Sequence, residues 1–119
     1  MPLHCTASGK LYLSSLPAAW RRKLIDSLPM DVHTPQTITD REMLSAEIEA
    51  IRRDKVGLDN EEFVVGMVAA AVPIMDGRGR TAAMLAVHAP VIRMDMIKIR
   101  EQVPLLRRAA DRISADIEN

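Results

Sequence analysis

The sequence predicts an α+β domain. Three features carry this: a glycine-turned hairpin in mid-chain, amphipathic helical stretches on both sides of it, and a length of 119 residues that suits a single core. The hairpin comes from two apolar runs, Phe63–Met75 and Ala82–Pro90, parted by Asp76-Gly77-Arg78-Gly79. Glycine accepts the positive φ that a tight reversal needs. The first run does not alternate cleanly, so periodicity alone also fits a buried helix. Gly66 and Pro73 both disfavour a helix interior and decide for strand, and Pro73 requires a bulge or an edge there. On the second strand Ala82, Met84, Ala86 and His88 share one face, and Ala83, Leu85 and Val87 share the other. The first face is small and ends in an imidazole. Such a face either packs closely on a helix or floors a cavity.

The remaining elements follow from caps and periodicity. Thr6 is placed to cap a short helix that takes in Lys10 to Leu13. Pro17 reads as a first-turn residue of a second helix, with Ser15 as its cap. That helix carries Trp20, Leu24 and Leu28 on one face and Arg21, Arg22 and Lys23 on its other, solvated side. Pro29 to Pro35 reads as a loop with His33 at its surface. Thr39-Asp40-Arg41-Glu42 has capping-box form, with Thr39 as cap. The helix behind it runs to about Lys55, with Leu44, Ile48 and Ile51 as its core face. After Pro90 a long helix is expected, roughly Arg93 to Ile117, with an apolar stripe through Ile99, Val103, Leu106, Ala110, Ile113 and Ile117. Pro104 interrupts it and predicts a kink or break near Arg100.

Composition narrows the function classes. Sixteen basic and sixteen acidic side chains cancel, so there is no global pull toward nucleic acid or anionic lipid. One Trp, one Tyr and one Phe leave no stacking platform for single-stranded nucleic acid. A single cysteine excludes an internal disulfide and fits the reducing cytoplasm. No signal peptide is visible, and no apolar run approaches the roughly 20 residues that span a bilayer. The eight methionines suit an irregular core or a promiscuous groove.

Three segments then read together: Pro2-Leu3-His4-Cys5-Thr6-Ala7-Ser8-Gly9-Lys10, Thr34-Pro35-Gln36-Thr37-Ile38-Thr39-Asp40, and Gly57-Leu58-Asp59-Asn60-Glu61-Glu62-Phe63-Val64-Val65-Gly66-Met67. In order and interval they resemble the C-terminal ligand-sensing domain of the IclR family of bacterial transcriptional regulators. Ala70-Ala71-Val72-Pro73 and the closing Pro90 with Arg93 fit the same pattern. The resemblance implies a GAF-like effector-binding domain, a twisted antiparallel sheet flanked by helices, spanning residues 1–119. It implies a small-metabolite effector, which helix-start chemistry narrows to an organic acid, and assembly as a homo-dimer or tetramer; no enzyme activity, cofactor or membrane association is expected. Complete members carry a winged helix-turn-helix ahead of this domain. The 119 residues contain neither that region nor the first strands of the sensing domain, so operator DNA is expected to be bound only through the missing domain, as repressor or activator. An open sheet edge is usually covered or paired with another chain, which again predicts self-association.

The resemblance places the effector between the first helix start and one sheet face. Helix-start N–H groups are unpaired and lie at the positive end of the dipole, so they attract a carboxylate. Ala7, Ser8 and Gly9 would let an anion approach that backbone; they would equally allow close helix–sheet packing. Asp59 matches an effector-contacting position; its other reading is a strand-end acid in solvent, as expected of Glu61 and Glu62. Ala69, Ala86 and His88 also match pocket positions, the alanines making a roomier and less polar cavity. His88 is then either the main polar anchor or a buried histidine satisfied by backbone. His4, Cys5, Asp59 and His88 include metal-ligating types. Adjacent His4 and Cys5 would point oppositely in a strand and no paired ligand spacing exists, so no metal is expected. Proximity to a helix start could lower the Cys5 pKa. Two other readings stay open: an oligomerisation module with a filled core, and a small enzyme using His88 as base with Cys5 or Asp59.

Overall fold

The computed structural model describes residues 2–118. Helix α1 spans Ala7–Ser15, α2 Ala18–Ser27 and α3 Arg41–Asp54; strands β1 Gly57–Asn60, β2 Met67–Met75 and β3 Thr81–Pro90 follow; α4 Met96–Glu101 and α5 Val103–Glu118 close the chain. The strands form one antiparallel sheet in the order β1-β2-β3. Gly57 faces Ala71 and Asp59 faces Ala69 across the first pair; Ala71 faces Ala86 and Ala69 faces His88 across the second. One sheet face therefore carries the rows Gly57–Ala71–Ala86 and Asp59–Ala69–His88. Ala69, Ala71, Ala86 and Met84 on that face pack with Ala7, Leu11, Leu44 and Ile48 of α1 and α3. Val68, Ala70, Val72, Leu85 and Val87 on the other face pack against Ile99, Val103, Leu106 and Ala110 of α4 and α5. The result is helix, sheet and helix in three layers.

The hairpin and the side-chain parity of β3 agree with the sequence. Asp76 holds the turn, its carboxylate accepting the Arg78 and Arg80 amides at 2.8 and 3.0 Å. Pro73 lies past the end of β1, whose pairing stops at Ala71, and the register shifts at Ile74/Met75. Its missing N–H is thus not needed by a neighbour. The strand starts later than expected, at Met67 rather than Phe63. Glu61 and Gly66 take positive φ, and the Glu61 carboxylate accepts the Gly66 amide at 2.9 Å, so residues 61–66 form a turn.

Two caps and one helix face differ from expectation. Asp40, not Thr39, caps α3, because its carboxylate reaches the amides of Glu42 and Met43. Ser15 belongs to the last turn of α1, donating to the Tyr12 carbonyl at 2.6 Å, and Pro17 occupies the cap of α2. Trp20 is 71% exposed, whereas Arg21 is buried and donates to Glu49 of α3 at 2.8 Å. The basic side of α2 is thus partly an interhelical contact. The stripe after Pro90 breaks as expected, at Gln102 between α4 and α5. Each outer edge of the sheet, along β1 and along β3, has no strand partner among the described residues.

Candidate functional site

The first turn of α1 is set by Thr6, whose hydroxyl accepts the Gly9 amide at 3.0 Å and donates to the Pro2 carbonyl at 2.8 Å. The amides of Ala7 and Ser8 have no acceptor among the described residues and remain the free donors at this helix start. A cavity of about 210 Å³ opens beside them, lined by Thr6, Ser8, Asp59, Phe63, Val64, Met67, Val68 and His88. Its size suits a single-ring or short-chain molecule rather than a large cofactor.

Ser8, Asp59 and His88, all predicted from sequence, meet at this cavity. Asp59 and His88 get there through the register, each facing Ala69 from opposite strands. Asp59 is buried, not a solvated strand end, and one of its oxygens accepts the Glu62 amide at 2.8 Å. Burial raises its pKa; the Glu62 amide, the Lys10 ammonium and His88 offset part of the rise. His88 sits on the outer strand, exposed, and forms the open side of the cavity. The other predicted residues lie around the cavity rather than in its wall. Ala7, Ala69 and Ala86 pack in the core under α1. The Gly9 amide is taken, and a Cβ there would meet Thr6 Oγ1 at 2.5 Å and Leu3 Cα at 2.7 Å, so Gly9 serves close packing.

The sequence missed the buried ion group next door. Lys10 is fully buried, and its Nζ donates to Glu62 Oε1 at 2.8 Å and Glu47 Oε2 at 2.9 Å. Glu62 is therefore not the exposed acid expected; its second oxygen accepts the Asn60 amide at 2.9 Å. The apolar wall was also missed as such: Phe63 and Val64 read as strand, and Met67, which is strand, was not read as facing a cavity.

Cys5 departs from expectation too. Its thiol is buried, and burial together with the negative Asp59 and Glu62 pushes its pKa up to about 11, against a helix start that was expected to lower it. It is held as a thiol. In native, metal-free chain, iodoacetamide is expected to leave Cys5 unlabelled at neutral pH and to alkylate it fully after denaturation, as read by mass spectrometry.

Fold and site together define a sensor-type domain: a sheet between helices, with a small hollow at a helix start and no helix among the described residues long and apolar enough to cross a membrane. Residues 1–115 match the family model for the bacterial transcriptional regulator IclR C-terminal domain, and the chain belongs to that family. It is 49% identical over 111 residues to the probable transcriptional regulator SauR of Cupriavidus necator, a match covering 93% of this chain and 44% of that protein. The p-hydroxybenzoate hydroxylase transcriptional activator of Acinetobacter baylyi is 32% identical, over 95% of this chain and 42% of its own length. A solved structure, the inducer-binding domain of a PobR double mutant from Acinetobacter in complex with 3-hydroxybenzoic acid, superposes with a TM-score of 0.90 at 32% identity. That match covers 96% of this chain and 66% of the other. The chain spans less than half the length of the curated relatives it matches.

Proposed function

We propose that the chain is the effector-sensing part of an IclR-type transcriptional regulator and that its cavity takes a small organic acid. The observation that carries this reading is the convergence of the α1 start, Asp59 and His88 on one small, largely apolar hollow. The acid's carboxylate would lie against the Ala7 and Ser8 amides, where the helix dipole favours negative charge. Its ring or chain would rest on Phe63, Val64 and Met67. The Asp59 carboxylate would accept a hydrogen bond from an effector hydroxyl, and His88 would close the open side, its ring N–H donating to the acid's carboxylate. The likeness to an inducer-binding domain complexed with a hydroxybenzoic acid supports the same class of ligand. Binding would bias self-association of the chain and, through the DNA-reading region of the longer protein, occupancy of operator DNA. A ligand does so only by binding the two states unequally.

Calorimetry and thermal shift with 3- and 4-hydroxybenzoate, short keto and hydroxy acids, and the matching methyl esters test this. At least one acid is expected to bind and raise Tm, with its ester inactive. H88A should weaken that acid by roughly tenfold or more, the usual worth of a hydrogen bond to a charged group. A panel without any binder, or an H88A variant that binds as tightly as its parent, would sink the proposal.

A further inference from the structure

A second cluster lies near the effector cavity but does not line it. One ring nitrogen each from His4 and His33 and the Cys5 sulfur lie within 4.8 Å of one another. In the sequence His4 and Cys5 group with Asp59 and His88 rather than with His33, and as strand neighbours they would face opposite ways. Residues 3–6 instead form a bend leading into α1, so adjacent side chains can turn to one side. The third member arrives from the loop before α3, 28 residues further along the chain than Cys5.

We propose that His4, Cys5 and His33 form a binding site for Zn²⁺, with a fourth position left for water. Three observations carry it besides the cluster itself. First, His4 Nε2 lies 2.8 Å from the Asp31 carbonyl oxygen. A carbonyl only accepts, so Nε2 bears the proton and the Nδ1 lone pair is left for a metal. This is the outer-shell arrangement that orients metal-bound histidines. Second, the loop bearing His33 is fixed. The His33 and Thr34 amides donate to Thr37 Oγ1 at 3.1 and 2.9 Å, and the Thr34 and Thr37 hydroxyls donate to the Glu61 and Glu62 carbonyls, each at 2.6 Å. Third, a cavity of about 260 Å³ lined in part by His4, Asp31 and His33 opens at the two imidazoles.

Tetrahedral zinc with Zn–N and Zn–S bonds of about 2.0–2.3 Å needs ligand atoms about 3.4–3.8 Å apart. The cluster must contract by about an ångström. The exposed His33 ring, edge-on to Phe63 at 5.2 Å and tilted against the His4 ring at 5.8 Å, can supply that by rotating. Two imidazoles and a thiolate suit Zn²⁺ and not Mg²⁺ or Ca²⁺, which demand oxygen ligands. On binding, the Cys5 thiol loses its proton to solvent as the Zn–S bond forms. Zinc would tie the segment before α1 to the loop before α3. Phe63, which touches His33, also lines the effector cavity, so the two sites share one wall.

The test uses the tag-free 119-residue chain, stripped with chelator and titrated with Zn²⁺ and with Co²⁺ as its spectroscopic stand-in. Expected are one metal per chain, a higher Tm, and in the cobalt form a thiolate-to-metal charge-transfer band with intense four-coordinate visible bands. C5S should abolish the charge-transfer band. H33A, at an exposed position whose folding circular dichroism can verify, should weaken zinc at least about tenfold. Absence of saturable binding overturns the proposal. Binding unchanged in both C5S and H33A overturns it too, as does loss of the metal in H88A, which would put the ion in the sheet cavity.

Discussion

Replacing Lys10 by Met is expected to destabilise the chain by about 3–5 kcal/mol, the cost of leaving a buried charge without its partner. Lys10 is 0% exposed and is the only ammonium on Glu62 among the described residues, whose side chain is 8% exposed. An exposed pair would be worth a kcal/mol at most, and burial decides between the two cases. Glu47 is the lesser partner, since it keeps about a third of its side chain in water. The loss should depend on pH. Burial raises the Glu62 pKa above its ordinary 4.5 even with Lys10 beside it. Stability from a raised carboxyl is fully present below the unfolded value and lost as pH rises through the folded one. Removing the ammonium raises the folded value further and widens that window. Urea denaturation should therefore find K10M closer to its parent at about pH 5 than at about pH 8, with E62Q restoring part of the difference at the higher pH. A penalty under about 1 kcal/mol at both pH values would mean that the pair is solvated and the account wrong.

Much of the fold was legible because its signals are local. Asp76-Gly77-Arg78-Gly79 fixes a turn through its own backbone, and the turn fixes which residues of β3 share a face. Leu44, Ile48 and Ile51 repeat within one helix, and Pro104 breaks a stripe by chemistry confined to its own ring. The errors came where a partner far along the chain decides. Arg21 is buried and Trp20 exposed because Glu49 of another helix reaches Arg21; nothing near residue 20 says so. Lys10 and Glu62 each look like ordinary surface charges until α1 is laid on the sheet. The site was legible by the same rule. Ser8 was found through helix-start chemistry and the family resemblance. His88 was marked by strand parity and by the resemblance, Asp59 by the resemblance alone, since what joins them is a register across three strands. The walls Phe63 and Val64 were read as strand because an apolar run does not reveal that Glu61 and Gly66 take positive φ. The resemblance also carried Gly9, Ala69 and Ala86, which lie in the packing of α1 around the hollow.

That packing leaves no slack where α1 meets β1. Gly57→Ala is expected to cost about 1–3 kcal/mol and to weaken acid binding by an order of magnitude or more. A Cβ at Gly57 would stand 2.4 Å from the Ala7 carbonyl oxygen and 3.3 Å from both Ala7 C and Leu11 Cβ. Ordinarily Gly→Ala gains about 0.4–1 kcal/mol by restricting the unfolded chain. Here the obstacle is helix backbone, which cannot rotate aside as a side chain can, so the clash outweighs that gain. Relief requires the start of α1 to lift off the row Gly57–Ala71–Ala86. The Ala7 and Ser8 amides ride on the same turn, two residues along β1 from Asp59, and would leave the position where they converge with Asp59 and His88. Stability and ligand affinity should therefore fall together in G57A. Leu44→Ala, by contrast, is expected to cost about 2–5 kcal/mol with affinity retained in the fraction that stays folded, because Leu44 packs under α1 without touching the cavity. Denaturant midpoints and calorimetry on the two variants separate the effects. A G57A chain as stable and as tight-binding as its parent would show that α1 is not seated on β1 as described.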